Sequence, residues 1–222
     1  MPGRHASGVP PTMYIPPHFH EDSTPALNRA MAEAGLVTIV SAYGDEPAIS
    51  HVPVHFDPAA GARGSISWHL SKANAHCDIL RAGASTIAIF MGPDAYISPA
   101  WYEEKAKTGR VVPTWNYLAI HTSGPVATFD DGPQLLALVE ALTDTHEADR
   151  PAPWAVSDAP DDFIAAQLKG IVGFSMKITA LEGKRKASQN KPVGDRVRMA
   201  EGLATETRQA AQDMGAIITD RD

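Results

Sequence analysis

The sequence contains very little cysteine and no long apolar run. Cys77 is the one cysteine among 222 residues, which excludes an internal disulfide and a zinc site built from cysteines. This usage is typical of the reducing cytoplasm, where we expect the protein to act. No apolar run approaches the roughly 18 residues of a membrane span, and the Pro-rich N-terminus lacks the apolar segment of a signal peptide. We therefore expect no membrane association.

Positive charge is also scarce. The chain has 19 Lys and Arg against 26 Asp and Glu, which gives a formal net charge of −7. Because the phosphates of nucleic acids repel such a surface, the bulk of the molecule is not a non-specific nucleic-acid binder. The sequence also lacks the Gly-rich loops of nucleotide-binding proteins and the nucleophile elbow of hydrolases.

Short β-type runs dominate the chain. They occupy residues 36–43, 48–56, 65–70, 85–91, 114–120, 126–129 and 172–181. A doubly wound parallel sheet would need a long helix after nearly every strand, and these helices are missing. The pattern therefore predicts a mainly β fold, an antiparallel β-barrel with peripheral α-helices.

The ends of the chain differ from this central part. We expect a flexible N-terminus over residues 1–12. The barrel with its helical additions should occupy residues 13–204, and a helical tail should follow over 205–222. Within the barrel domain, residues 134–146 have a helical pattern that places Leu135, Leu138, Val139 and Leu142 on one face.

An aromatic excursion follows the fourth predicted strand. Residues 88–123 contain five Tyr and Trp side chains, namely Tyr96, Trp101, Tyr102, Trp115 and Tyr117. Side chains of this kind either become buried under a partner subunit or contact a ligand. A well-packed β-excursion without chemistry of its own is the alternative. The excursion favours a homodimer, because one small barrel could not cover it alone.

Two polar stretches are candidates for binding. Residues 68–74, WHLSKAN, combine a hydroxyl and a lysine at a predicted strand-to-helix turn, where backbone N–H groups can bind a phosphate. Residues 181–192 place Ser188, Gln189 and Asn190 among basic residues, and their side chains could bond the edge of a heteroaromatic ring. Solvated surface segments are the alternative for both stretches.

Two pairs of histidines share a face of their segments, His51 with His55 and His18 with His20. Imidazole groups suit zinc or iron. Nothing in the sequence brings the two pairs together, so ordinary polar or core histidines are favoured and we expect no metal site.

Five sequence blocks, in order, resemble one known family. The chain from about Met13 to Gly202 is similar to the PaiB family of FMN-binding negative transcriptional regulators through MYIPPHF, HLSKAN, FMGPDAYISPAWY, VPTWNY and LEGKRKASQN. The resemblance implies an antiparallel FMN-binding split barrel, similar to pyridoxamine-phosphate oxidases and flavin reductases. It also implies a homodimer with FMN at the subunit interface.

The resemblance implies a set of flavin-binding residues. The strand segment His51, Val52, Pro53 and Val54 would run beside the flavin ring, and His69, Ser71, Lys72 and Asn74 would meet the ribityl phosphate. Trp115 and Asn116, from the other subunit, would face the ring, while Ser188, Gln189 and Asn190 would close the site. Oxidases of this fold commonly place arginines where this chain has His51 and Lys72, which predicts a weaker hold on the phosphate.

The functional hypotheses follow from this resemblance. The leading one is a cytoplasmic FMN-binding homodimer that represses transcription, directly or through a partner. Direct contact with DNA would use Lys184, Arg185, Arg196 and Arg198, which lie in the densest basic segment of the chain. The alternatives are a flavin-dependent oxidoreductase on an unknown small substrate, and a binding module that has lost its flavin.

Overall fold

The computed structural model describes residues 13–219; the predicted flexible N-terminus, residues 1–12, lies outside the described residues. Contacts between Cα atoms divide the chain into two compact units. Unit 1 consists of Met1–Ala30, Met91–Ile120 and Glu182–Asp222, and unit 2 of Met31–Phe90 and His121–Leu181. The domain boundaries drawn from the sequence, after residues 12 and 204, stay predictions.

Ten strands and seven α-helices make up the described chain. The strands are β1 (His20–Glu21), β2 (Val37–Tyr43), β3 (Glu46–Val52), β4 (His55–Asp57), β5 (Ser65–Ser71), β6 (Thr86–Ile97), β7 (Thr114–Ser123), β8 (Val126–Phe129), β9 (Ile171–Lys177) and β10 (Ala180–Lys186). The helices are α1 (Thr24–Ala32), α2 (His76–Arg81), α3 (Glu103–Lys107), α4 (Gly132–Glu147), α5 (Asp161–Leu168), α6 (Val193–Ala204) and α7 (Gln209–Thr219). Short 3₁₀ turns cover Pro17–Phe19, Pro99–Trp101 and Val156–Asp158.

Unit 2 contains two sets of hydrogen-bonded antiparallel strands. One set has the order β6-β2-β3, and the other has the order β4-β5-β9-β8. The single strand predicted over residues 48–56 is in fact two strands, because Pro53 stands between β3 and β4. Proline has no N–H to donate to a strand ladder, so the pairing ends there.

The core of unit 2 follows from side-chain alternation along its strands. Trp68 of β5 and Phe174 of β9 are fully buried Cα partners whose rings stack at 5.8 Å. Ile66 and Met176 are also buried Cα partners, two residues away from the first pair along the two strands. Full burial of each such side chain stabilises the fold by about 1.5–3 kcal/mol. These four residues therefore fix which face of β5 points away from the core.

Helix α4 has the buried face that the sequence predicts, and it begins at Gly132, two residues before the predicted start. The carboxylate of Asp131 accepts a hydrogen bond from the Gln134 amide at 3.0 Å, which caps the first turn. Leu135, Leu138 and Leu142 are buried along one side. The opposite end of the helix carries the polar residues that matter for the cleft described below.

Glycine is required at the turn between β7 and β8. A Cβ atom on Gly124 would lie 1.9 Å from the carbonyl oxygen of Lys177. At the same turn the Thr179 amide donates to the Ser123 carbonyl at 3.0 Å. The close backbone approach leaves no room for any side chain.

Unit 1 contains the strand order β1-β10-β7-β6. Its core joins the end of β6 to the last two helices, because Ala95 and Ile97 pack with Met199 of α6 and Met214 of α7 in one buried cluster. This packing explains why β6 continues to Ile97, six residues beyond the predicted end of the strand. None of the helices described for residues 13–219 combines the length and the hydropathy that a transmembrane span requires.

Candidate functional site

A cleft of about 300 Å³ opens in unit 2. Its volume lies at the lower end of the range of roughly 300–1,000 Å³ that small-molecule sites occupy. The lining combines apolar side chains with a few polar ones: Pro53, His69, Val139, Leu142, Thr143, His146, Glu147 and Trp154. Pro53 and His69 belong to the two segments in which the sequence places flavin contacts, and the cleft brings them together.

His69 lines this cleft and has a buried ring nitrogen without a hydrogen-bond partner among the described residues. Because Trp68 and Leu70 point into the core of unit 2, the strand alternation turns His69 to the opposite face. Its Nδ1 atom is buried and has no hydrogen-bond partner among the described residues. Burial lowers the pKa of His69 below its ordinary value. A buried nitrogen without a partner is unusual in a folded protein, and a ligand in the cleft would satisfy it.

The carboxylate that lines the cleft is already engaged. Glu147 Oε1 lies 3.0 Å from Arg150 Nε, and its Oε2 accepts a hydrogen bond from the Trp154 amide at 3.1 Å. These contacts fix the backbone of Trp154, whose indole remains 45% exposed at the cleft. The arrangement holds an aromatic wall in place and engages both carboxylate oxygens of Glu147.

The predicted ring strand contributes only one residue to the cleft. His51 is exposed, and its Nδ1 lies 3.0 Å from Thr38 Oγ1. Val52 is buried, and Val54 is half-buried outside the lining. Pro53 therefore is the member of this segment that a molecule in the cleft would touch.

The predicted phosphate turn differs in its backbone from the expectation. Helix α2 begins at His76, four residues after Lys72, so the turn is not a helix start. The Lys72 amide donates to the Gly170 carbonyl at 2.9 Å, and the Asn74 amide donates to the Ser71 carbonyl at 2.9 Å. The free backbone N–H groups expected here are thus already bonded. The exposed Lys72 ammonium, by contrast, has no hydrogen-bond or ion-pair partner among residues 13–219.

A buried polar network beneath this turn was not predicted from the sequence. His76 is buried, and its Nδ1 and Nε2 lie 2.8 Å from Ser50 Oγ and Ser41 Oγ. Ser41 Oγ lies 2.8 Å from Thr86 Oγ1, and Asn74 donates its side-chain amide to Ser50 Oγ at 3.4 Å. The alternation of the strand could have indicated part of this network. Ser41 lies on the same strand face as the apolar Val37 and Ile39, so its side chain points into the core.

The hydrogen bonds of this network determine the tautomer of His76. Thr86 donates its one hydroxyl proton to the Ala84 carbonyl at 2.9 Å, so Ser41 must donate to Thr86. His76 Nε2 must then carry a proton and donate to Ser41, which leaves Nδ1 to accept from Ser50. Burial lowers the pKa of His76, consistent with a neutral ring.

Asn74 is held by the same network. Its Oδ1 accepts from the His76 amide at 2.9 Å, and its Nδ2 donates to Ser50. Both ends of this side chain therefore support the turn. Of the predicted phosphate residues, Ser71, Lys72 and Asn74 are exposed, and Lys72 is the cation among them.

The predicted site residues of unit 1 form their own cluster. Asn116 is fully buried, and its Nδ2 donates to Ser188 Oγ at 2.9 Å. Ser188 has a φ of 59°, the left-handed region that a non-glycine residue rarely adopts. Gln189 uses its amide within the segment, accepting from the Ala187 N–H at 2.9 Å and donating to the Arg185 carbonyl. Asn190 alone of the triplet is exposed.

Trp115 lies on the surface of unit 1 and is held by an ion pair. Its Nε1 donates to Asp94 Oδ1 at 2.9 Å, and Arg208 binds the same carboxylate at 2.8 Å. The Arg208 guanidinium also lies over the indole ring at 5.8 Å. The hydrogen bond from Arg208 holds the pKa of Asp94 below its ordinary range, so the pair is charged at neutral pH.

The basic segment proposed for DNA does not form an open basic surface. Lys184 is only 8% exposed. Arg185 lies 3.1 Å from Glu21, and Arg198 forms an ion pair with Glu103. Arg196 is half-buried, and its Nε has no partner among the described residues. Most of this charge is therefore neutralised or buried within unit 1.

Among residues 13–219, no three His, Cys, Asp or Glu side chains are grouped as a metal site.

Comparison with known proteins identifies the family to which the chain belongs. A family model described as "Putative FMN-binding domain" matches residues 13–180. The chain is 27% identical over 209 residues to "Protease synthase and sporulation protein PAI 2" of Bacillus subtilis, with 94% of this chain and 98% of that protein covered. It is also 31% identical over 157 residues to an uncharacterized protein of Saccharomyces cerevisiae, covering 63% of this chain and 93% of the relative.

Solved structures show the fold. The FAD and heme binding protein from Mycobacterium smegmatis superimposes with a TM-score of 0.55 at 15% identity, covering 75% of this chain and 73% of that one. At this identity the similarity concerns the fold alone. It confirms the predicted antiparallel split-barrel fold.

The His76 network leads to a prediction about protonation. In long-range ¹H–¹⁵N spectra at pH 7, His76 should show a protonated Nε2 and an unprotonated Nδ1. Because the folded pKa lies below the ordinary value of 6.5, the unfolded chain takes up this proton first as the pH falls. The free energy of unfolding contributed by His76 is therefore complete above pH 6.5 and decreases below it.

The His76→Gln variant identifies the signals of this ring by their loss and should reduce the acid dependence of the free energy of unfolding. The exposed His51, changed to Gln, is the matched control. A proton found on Nδ1, or a doubly protonated ring at pH 7, contradicts the hydrogen-bond assignment.

Proposed function

The chain belongs to the PaiB family of FMN-binding proteins, and on this premise we propose that it is a homodimeric, FMN-dependent negative regulator of transcription. FMN is its cofactor. The observation that carries the proposal is the cleft of unit 2, which unites Pro53 and His69 from the two segments implied to contact the flavin. The pairing of β4 with β5, in which His55 lies opposite Ser67, brings the two segments together, and the cleft opens where they meet.

The residues of the cleft fit a flavin ring. An isoalloxazine is flat, with apolar faces and a polar edge, and the cleft offers Leu142 and Trp154 as apolar surface. The unsatisfied Nδ1 of His69 is a polar atom that the edge of the ring can reach through a hydrogen bond. When bound, FMN supplies a redox-active ring that this chain's own side chains lack.

Lys72 is the residue we assign to the phosphate. It lies in the turn after β5, the strand that carries His69, and its ammonium is exposed and without a partner among the described residues. Ser71 adds a hydroxyl beside it. The hydrogen bonds from Asn74 to Ser50 and from His76 to Asn74 fix the shape of this turn. A dianionic phosphate then gains a charge-assisted contact on a preformed support.

The second copy of the chain completes the site in this proposal. Trp115, Asn116 and the segment around Ser188 would come from the partner, as the family resemblance implies. Asn116 and Ser188 satisfy each other, so they support the segment, while the exposed Asn190 and the exposed indole of Trp115 are free to contact the ring.

An apolar sheet face in unit 2 supports dimerisation. On the β6-β2-β3 strands, Val40 is the Cα partner of both Ile49 and Ile87, and Ile89 follows two residues later on the same face. Ile49 is 54% exposed, and the other three are half-buried. A row of branched apolar side chains on one open face is typical of a subunit interface.

Regulation is favoured over catalysis by the state of the polar residues. Glu147, the carboxylate in the cleft, is held by Arg150 and by the Trp154 amide. The cations proposed for DNA are buried or paired, as Lys184 and Arg185 illustrate. We therefore propose that repression runs through a protein partner. A flavin-dependent oxidoreductase is the second candidate, because the fold of this chain binds redox-active flavins in the Mycobacterium smegmatis protein.

The first test concerns the phosphate contact. Lys72→Ala should weaken FMN binding by about tenfold to a hundredfold, because one charge-assisted hydrogen bond is lost. Riboflavin, which has no phosphate, should bind the variant and the wild type alike. Fluorescence titration of both flavins measures the difference. Lys105→Ala, at an exposed lysine of α3, is the matched control; equal losses for both flavins would place Lys72 outside the phosphate site.

The second test concerns the dimer. Ile49→Glu introduces a charge on the apolar face of β3 and should convert the dimer to a monomer of 23.7 kDa. Sedimentation equilibrium at micromolar concentration measures the mass. Phe163→Glu changes a similarly exposed side chain on α5 and should leave the dimer intact. A wild-type protein that sediments as a monomer contradicts the proposal.

The third test concerns regulation. Deleting the gene should raise a defined set of transcripts, and re-expressing the wild-type chain should lower them again, whereas Lys72→Ala should fail to do so. Lys105→Ala is again the control. If no transcript rises and the FMN-loaded protein oxidises NADH or NADPH with turnover, the oxidoreductase reading replaces regulation. Salt-dependent binding of a regulated promoter by the purified protein would assign repression to direct DNA contact.

A further inference from the structure

Two lysines on one face of β10 form a cluster outside the cleft of unit 2. Lys184 and Lys186 are separated by one residue on a strand, so their side chains point to the same side and start about 7 Å apart. Arg185 between them points to the other side, where it pairs with Glu21. The cluster therefore is a distinct feature of unit 1.

Both ammonium groups are partly removed from water. Lys184 is 8% exposed, and its Nζ donates to the Tyr14 carbonyl at 2.9 Å. Lys186 is half-buried, and its Nζ donates to Thr114 Oγ1 at 2.6 Å. Each ammonium has three N–H donors. One hydrogen bond apiece leaves the other donors of both lysines without a hydrogen-bond acceptor among the described residues.

No carboxylate of the described residues neutralises these two charges. Within residues 13–219, neither lysine forms an ion pair with a carboxylate. The partial compensation comes from aromatic rings, because Lys184 Nζ lies 5.1 Å from the Tyr117 ring and 5.8 Å from the Tyr14 ring. Burial lowers the pKa of Lys186, and the charge of Lys184 lowers it further, against the opposing effect of Tyr117.

Two unneutralised cations side by side in a partly buried place are costly unless an anion joins them. We propose that Lys184 and Lys186, with the hydroxyl of Thr114, bind a phosphate-type oxyanion. Tetrahedral oxyanions offer several acceptor oxygens, so one group can accept from both ammoniums at once. This site is additional to the phosphate contact assigned to Lys72, and the inference stands whether or not that assignment holds.

The oxyanion has two sources in the chemistry of this protein. It is either a free anionic effector, which would suit a regulator, or the phosphate of a bound flavin. Both sources place the same group against the same lysines. The experiment therefore separates them by using riboflavin, which lacks a phosphate, beside FMN.

The probe is inorganic phosphate, titrated calorimetrically into the Lys72→Ala protein saturated with riboflavin. This background removes the contact assigned to Lys72, so binding that remains reports another site. We expect saturable phosphate binding that weakens about tenfold or more in Lys72→Ala with Lys186→Met. Lys186→Arg keeps the charge and should retain binding. Lys191→Met is the matched control, since Lys191 also lies over a tyrosine ring, Tyr102 at 5.0 Å, but is exposed.

Repeating the titration with FMN instead of riboflavin identifies the source. Phosphate binding that persists supports a free effector, and binding that disappears supports the flavin phosphate at the same lysines. The proposal is overturned if phosphate does not bind the riboflavin-saturated protein and Lys186→Met leaves FMN affinity unchanged. Thermal unfolding of each variant shows that the fold is kept, and Lys186→Arg keeps the test decisive if Lys186→Met unfolds. If Lys72→Ala leaves the FMN affinity unchanged, the flavin site proposed at Lys72 is contradicted, and the oxyanion site at Lys184 and Lys186 is unaffected.

Discussion

The need to satisfy the buried polar groups around His76 constrains the strands of unit 2 that surround this ring. The imidazole joins Ser41 of β2 and Ser50 of β3, and through Ser41 it reaches Thr86 of β6. An unpaired buried polar group costs about 1–3 kcal/mol, so loss of any member leaves several others exposed to that penalty. The network therefore fixes the positions of three strands and of helix α2 relative to one another. The hydrogen bonds of Asn74 with Ser50 and His76 also connect it to the turn that carries Lys72.

The position of the cleft follows from strand alternation on this support. Trp68 and Leu70 must face the core, so His69 between them must face outward, with its Nδ1 left unsatisfied. The end of α4 and the Glu147 contact to Trp154 then supply an aromatic wall. A rigid hydrogen-bonded turn beside an apolar cleft suits a ligand with a charged end and a flat ring, which is the description of FMN.

Charge is used sparingly throughout the chain. Several cations in the C-terminal part of this acidic chain form ion pairs with its own carboxylates. Arg185 pairs with Glu21, and Arg208 pairs with Asp94. Lys184 and Lys186 differ because the described residues offer them no carboxylate. The same local sequence that looks like a DNA-binding run therefore divides, in the fold, into structural ion pairs and one candidate anion site.

The sequence by itself determined the class of fold, the family and the approximate place of most strands, because period-two alternation and ordered motif blocks are local properties. It also located the turn of Ser71 and Lys72. Tertiary structure decided what the local pattern leaves open. Pro53 splits a predicted strand, the turn's N–H groups bond to partners as distant as Gly170, and Trp154 reaches the cleft from a Pro-rich segment without periodicity. Burial and pairing depend on residues far apart in the chain, so whether Lys184 meets a carboxylate, a ring or water is settled only when the strands come together.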